Sequence, residues 1–235
     1  MPTTADRRGW AGIPADERRA TRRTRLLDAA LELLGTDGWS ATTVRGICLT
    51  AKLNPRYFYE SFASLDALLV AVYDRTVEEL AATVYRAAEG AATDPESQVR
   101  AVLRGIVDFV DEDQRRGRVL YVEAIGNEAL NLRRIETGHE LVELLERDAS
   151  ERYGRPPAGE RIGRIAAAFL VGGFGELLGA WLAGRIDVSK SQLVDDASTL
   201  FLAVGDAAGR IAHSRGNGDR IPGAPSSRTT DRRAR

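Results

Sequence analysis

Residues 52–62 read KLNPRYFYESF, an arginine, two tyrosines and a serine set among two phenylalanines. Aromatic residues make up only 6% of the 235-residue chain, so the cluster is a local event. Asn54-Pro55 is a helix start: Asn accepts from the first free N–H groups, and Pro lacks a donor that is not needed there. On the helix that follows, Phe58 and Phe62 lie four apart and share a face suited to packing. Arg56, Tyr57 and Ser61 take the other face, with Tyr59 near its edge. A guanidinium there suits base edges or phosphate, and the hydroxyls suit phosphate oxygens. The chemistry on offer is recognition of a polyanion.

Catalytic chemistry is harder to assemble. Glu136-x-x-His139 is half of a ferritin-like di-iron signature, which needs a second such pair and two further carboxylates. The other histidine, His213, has Arg210 three residues before it. His139-Glu140-Leu141-Val142-Glu143 lacks the second histidine of a zinc-protease helix. Asp108, Asp111, Glu112 and Asp113 fit a solvated acidic helix end, and GGFGELLG at 172–179 follows no strand. Cys48 falls on an inward helix face. We therefore expect no enzyme, no metal site and no cofactor, with a helical-bundle metalloenzyme as the alternative.

The elements around these residues read as helices throughout. Leu27, Ala30, Leu31 and Leu34 form an amphipathic stripe that ends at Asp37-Gly38. Thr42-Thr43 offers a cap for a short helix through Ala51, with Val44, Ile47 and Cys48 inward. Ser64 restarts the chain as a helix striped by Leu65, Leu68, Leu69 and Val72, and Asp94-Pro95 opens another. Arg115-Arg116-Gly117 is expected to close that one, before the apolar VLYVEAIGN. A charged helix then spans about 128–153, GRPPAG at 154–159 breaks it, and two last helices span about 159–184 and 189–213. No alternating strand pattern is present, so the expected fold is all-α. The chain ends are basic: residues 1–25 hold seven arginines against three acids, and residues 213–235 six against two. Basic ends on an acidic body suit a polyanion partner. The single cysteine and the polar N-terminal stretch point to the cytoplasm.

Residues 42–74, TTVRGICLTAKLNPRYFYESFASLDALLVAVYD, resemble the DNA-binding segment of TetR-type transcriptional regulators. Thr42, Thr43, Val44, Arg45, Ile47, Ala51, Tyr59, Phe62, Ser64, Ala67, Leu68 and Leu69 stand at the corresponding positions. Leu27, Ala29, Ala30 and Leu34 resemble the family's first helix, and Gly38 its turn. There are departures. Lys52 replaces the usual turn glycine, Asn54-Pro55-Arg56-Tyr57 replaces Ser-x-Gly-Thr, and Leu65 stands where a phosphate-contacting lysine is usual. Arginines in 18–25 are placed to compensate for that lysine. The resemblance implies phosphate contacts from Thr42, Thr43, Tyr59 and Ser61 and base contacts from Arg45, Arg56 and Tyr57. Lys52, Asn54 and Pro55 complete the implied DNA-binding set.

The same resemblance implies a homodimeric repressor, freed from a palindromic operator on double-stranded DNA by a small-molecule effector. It divides the chain into a flexible basic arm (1–17), a helix-turn-helix domain (18–65), a helical effector-binding and dimerisation domain (66–213) and a disordered basic tail (214–235). The stretch 165–183, IAAAFLVGGFGELLGAWLA, is the most apolar, with Gly175-x-x-x-Gly179 permitting close helix approach. Glu176 near its centre argues for a buried dimer helix over a membrane span. The expected interface takes Gly175, Leu178 and Trp181 with Leu200, Phe201 and Val204, on a last-helix stripe that also includes Leu193. Phe109, Tyr121, Phe169 and Phe174 are the expected lining of an effector pocket.

Overall fold

The computed structural model describes residues 14–153 and 160–218, and every regular element among them is helical. Most of the basic arm, the GRPPAG break and the tail beyond 218 lie outside the described residues. Helix α1 (Ala15–Thr36) starts directly after Pro14, with Asp16 and Glu17 in its first turn, where the helix dipole favours negative charge. It ends at Gly38, whose φ of 84° is open to glycine and costly for other residues. A 3-10 turn (Trp39–Ala41) leads to α2 (Val44–Thr50) and α3 (Pro55–Tyr59). Helix α4 (Leu65–Glu89) begins in this head and runs on into the body. Its 25 residues make a rod about 37 Å long.

The N-caps follow the sequence expectation closely. Asn54 Oδ1 accepts from Arg56 N at 2.9 Å, Ser64 Oγ from Ala67 N at 3.1 Å, and Asp94 Oδ1 from Ser97 N at 2.9 Å. The last of these opens α5 (Pro95–Glu112). The expected break at Arg115-Arg116-Gly117 is not a break. Asp113 caps a new helix, α6 (Gln114–Arg118), and the chain winds on through a π-helical turn (Val119–Glu123) into α7 (Ala124–Gly126). Gly117 is there for space: a Cβ on it would stand 2.5 Å from Leu182 Cδ1. Helices α8 (Glu128–Tyr153), α9 (Glu160–Leu182) and α10 (Lys190–Gly218) complete the body, the last running five residues past the expected His213.

One core runs from head to body, from Leu26, Ile47 and Phe58 through Leu69 and Val72 to Val107, Leu130 and Leu178. A polar latch reinforces the junction. Buried Glu123 in the π turn accepts from Trp39 N at 3.0 Å and from Arg118 Nη2 at 2.6 Å. Arg118 Nη1 donates to Thr36 O at 2.8 Å, and Arg115 pairs with Glu32 of α1 and with Asp113. The bond from Arg115 holds the Asp113 carboxyl below its usual range.

Lys52 is the one non-glycine residue with positive φ among those described, at 54°. It closes α2 in a Schellman turn, with Lys52 N donating to Leu49 O at 3.1 Å and Leu53 N to Cys48 O at 2.9 Å. The turn thus keeps the left-handed geometry that glycine would take, with a lysine in its place. A left-handed residue with a Cβ costs roughly 1–2 kcal/mol, and glycine returns part of that through its freer unfolded chain. Lys52→Gly is therefore expected to stabilise the protein by about 0.5–1 kcal/mol, read as a higher urea midpoint. A lower midpoint would mean that the lysine side chain compensates its own strained backbone.

Candidate nucleic-acid interface

The interface is built from α1, α2 and α3. Thr43 caps α2, its Oγ1 accepting from Gly46 N at 3.1 Å, which leaves the hydroxyl proton free for an outside acceptor. Arg45 and Lys52 are exposed at the two ends of α2. Helix α3 has five residues, too short to hold itself in water. Phe58 and Phe62 hold it instead, 0% and 5% exposed, with ring centroids 6.0 Å apart. Tyr59 sets its ring edge-on to Phe58 at 5.2 Å and stays 65% exposed, so its hydroxyl points outward from an anchored ring. Asn54, Pro55 and Arg56 are exposed on the same element, and Tyr57 is half-buried.

Two expected phosphate contacts are placed differently. Thr42 is 3% exposed, and its hydroxyl donates to Gly38 O at 2.8 Å, closing the turn after α1. It has no donor left for DNA. The Ser61 hydroxyl donates to Tyr57 O at 3.0 Å and is likewise used within the fold.

The arginines of α1 were the part the sequence hid. Arg19 Nη2 donates to Glu60 O at 2.7 Å, Arg23 Nη1 to Ser61 O at 3.1 Å, and Arg25 Nη2 to Ala51 O at 2.6 Å. These carbonyls terminate α3 and α2, where a helix leaves acceptors without partners and favours cations. Arg22 lies over the Tyr57 ring at 4.5 Å and Arg23 over the Phe62 ring at 4.2 Å. The basic run on α1 thus clamps α3. A charge run reads as a solvated or polyanion-facing surface in one dimension, and only the crossing of α1 behind α3 reveals the other use.

The residues expected at a dimer interface divide. Leu178 is fully buried in its own chain, Gly175 and Gly179 pack against Tyr121, and Phe201 meets Phe174 edge-on at 5.5 Å. Trp181 Nε1 donates to Val188 O at 3.1 Å, and Val204 is half-buried. Leu193 also turns inward, at 2% exposed, whereas Leu200 on the supposed same stripe is 61% exposed. The outward face of α9 instead carries Ile165, Ala168, Phe169, Gly172 and Gly173. Only 17% of the most apolar window of this helix is buried, and by length and composition it is long and apolar enough to cross a membrane.

The four expected pocket residues do not converge. Phe109 is core, 4% exposed under the Arg116 guanidinium, and Phe169 is 69% exposed on the surface. Tyr121 lies deep enough that burial drives its phenol well above the usual range, yet its side chain is only partly covered. Phe174 is buried against α10. Glu136 and His139, the half-signature for iron, are exposed on α8, and Glu136 is paired with Arg133. Among the described residues no three His, Cys, Asp or Glu side chains are grouped to hold a metal ion.

Residues 26–72, from α1 into α4, match the family of bacterial regulatory proteins called the tetR family. Over this stretch the chain is similar to the TetR-type regulators. It is 32% identical over 120 residues to the HTH-type transcriptional activator FasR of Mycolicibacterium smegmatis, covering 51% of this chain and 52% of that one. The match thus spans about half the length of this curated relative. In fold it is similar to the fatty acid degradation regulator FadR of Bacillus halodurans, at a TM-score of 0.65 and 18% identity over 77% of this chain and 94% of that one. FadR of Bacillus subtilis in complex with stearoyl-CoA gives a TM-score of 0.61 at 14% identity, covering 76% and 96%. The TetR-type family is one of transcriptional regulators rather than enzymes, and the metalloenzyme alternative is not favoured.

Proposed function

We propose that the protein is a cytoplasmic homodimer that binds a palindromic operator through α3 and is released from it by a small molecule bound in its helical body. The observation that carries this is the outward face of α3. Arg56 and Tyr59 point away from a helix whose inner face is anchored, with Arg45, Thr43 and Lys52 beside them on α2. Arginine and tyrosine at the tip of a fixed helix suit a base edge and a phosphate respectively. The exposed apolar stripe on α9 supports dimerisation, since a two-fold pair would cover it and present two α3 helices about 34–36 Å apart.

Release would act through α4, whose N-terminal turns belong to the head while the rest packs with α5 and α8 in the body. A ligand that favours a different tilt of this rod respaces the two heads. Of Phe109, Tyr121, Phe169 and Phe174, Tyr121 fits such a site best, partly covered beside Gly175 and Gly179 of α9. The stearoyl-CoA of the Bacillus subtilis neighbour makes an acyl thioester a reasonable first compound to screen. Repression requires only occupancy of a promoter, and it is the sign of regulation proposed for this dimer.

Selection of bound duplexes from a random pool at two salt concentrations tests the reading. An enriched palindrome, weaker but still preferred at higher salt, is expected. No enrichment from a folded dimer would remove DNA recognition from the account. In the enriched duplex, Arg56→Ala is expected to cost about 1–3 kcal/mol of binding and to relax one base position. Tyr59→Phe is expected to weaken all duplexes alike.

A further inference from the structure

We infer that Glu60 is a specificity-determining residue that presets Arg56 to read one guanine. This rests on the proposed recognition of DNA by α3. Glu60 is the C-cap of that helix and joins three arginines. Arg56 Nε donates to Glu60 Oε1 at 2.9 Å, Arg22 Nη2 stands 3.7 Å from Glu60 Oε2, and Arg19 Nη2 donates to the Glu60 carbonyl at 2.7 Å. Both ends of Glu60 are therefore tied to α1.

Arg22 is itself fixed, its side chain 15% exposed and stacked on Tyr57. The Arg56 side chain, by contrast, is 82% exposed and free of packing. A long side chain in that position would otherwise spread over many rotamers, and each must be given up on binding a base. The bond from its Nε to Glu60 biases the guanidinium toward one orientation and leaves its two terminal nitrogens for an outside acceptor. Two parallel donors are what guanine offers acceptors for, at O6 and N7.

The carboxylate carries a second consequence. A negative charge on a surface that faces phosphates opposes binding to DNA of any sequence. Glu60 thus lowers indiscriminate affinity while raising discrimination, and the two effects separate on mutation. An exposed pair four residues apart on a helix contributes little to fold stability, so its loss should leave the head intact.

The test uses the full-length chain, the duplex enriched from a random pool, all its single-base variants and an unrelated duplex. Arg56→Ala is expected to flatten the preference at one base pair by about tenfold or more, and Glu60→Gln to weaken the preference at the same base pair by about two- to threefold, the most an exposed pair of this kind supplies. Glu60→Gln should also bind the unrelated duplex several-fold tighter, with an unchanged melting temperature. In an Arg56→Ala background, Glu60→Gln should change discrimination no further, because its effect passes through Arg56. Undiminished preference in Glu60→Gln overturns the inference. So does a change at that or any other base pair in the Arg56→Ala background, which would place the carboxylate on a base directly. Wild-type protein that enriches no sequence overturns the DNA reading itself, and this proposal with it.

Discussion

Phe58→Ala is expected to cost about 3–5 kcal/mol and to abolish binding to the enriched duplex. The side chain is 0% exposed, and its ring sits between Phe62 and Tyr59 where α1, α2 and α3 converge. Removing it leaves a cavity that a five-residue helix has no length to collapse into. Such a helix has almost no stability of its own, so the loss falls on tertiary packing alone. Whole domains are stable by about 5–15 kcal/mol, so this one substitution takes from about a fifth of that margin to all of it. Urea unfolding followed by circular dichroism gives the stability change, and titration with the duplex gives the functional one. A cost under about 1 kcal/mol would mean that the arginine bonds from α1 hold α3 without the phenylalanine. Arg19→Ala and Arg23→Ala would then become the larger lesions.

The contrast between these two anchors shows what one dimension carries. Asn54-Pro55 and the four-residue spacing of Phe58 and Phe62 act through neighbours in sequence, and the helix they specify is the one observed. Ser64 and Asp94 cap their helices for the same local reason. Thr42 and Thr43 look equivalent on paper. The first is lost to the interior because the chain turns at Gly38 and brings a carbonyl within 2.8 Å of its hydroxyl. Arg115-Arg116-Gly117 resembles a helix end by composition, but Asp113 caps a new turn and the glycine lies under Leu182. The arginines of α1 required knowledge of which helix ends lie beneath them. In each case the missing information is a contact between residues far apart in the chain.

Helix α9 is a further kind of difficulty. A helix apolar on every side has no stripe to mark its inner face. Gly175, Leu178 and Phe169 are equally apolar in sequence, yet the first two turn into the chain and the third turns out. Spacing alone does not separate the two faces of such a helix. The structure separates them: a stripe of Ile165, Ala168, Phe169, Gly172 and Gly173 remains uncovered, and a Cβ on either Gly172 or Gly173 would meet nothing within 4 Å. Helix α10 packs beside α9 and adds Leu200, 61% exposed.

That separation makes Phe169→Glu the second substitution of large expected effect. In a two-fold dimer closed over this stripe the same residue enters from both subunits, so one mutation places two carboxylates in the apolar contact. Each would be buried without a cation, at a cost of several kcal/mol, and every 1.4 kcal/mol weakens association tenfold. A dimer dissociation constant raised by at least about a hundredfold is expected, seen by sedimentation as monomer at micromolar concentration. Helix content should not fall, because Phe169, 69% exposed, lies mostly outside the packing of its own chain. Affinity for the palindromic duplex should fall with it, since two linked heads bind far more tightly than either alone, while a half-site duplex should be bound as before. Leu178→Glu provides the opposite control: that side chain is 0% exposed within its own fold, so its replacement should unfold the body rather than divide the dimer. If Phe169→Glu stayed dimeric, the subunits would have to meet elsewhere, and the spacing of the two α3 helices would have to be derived again from that other face.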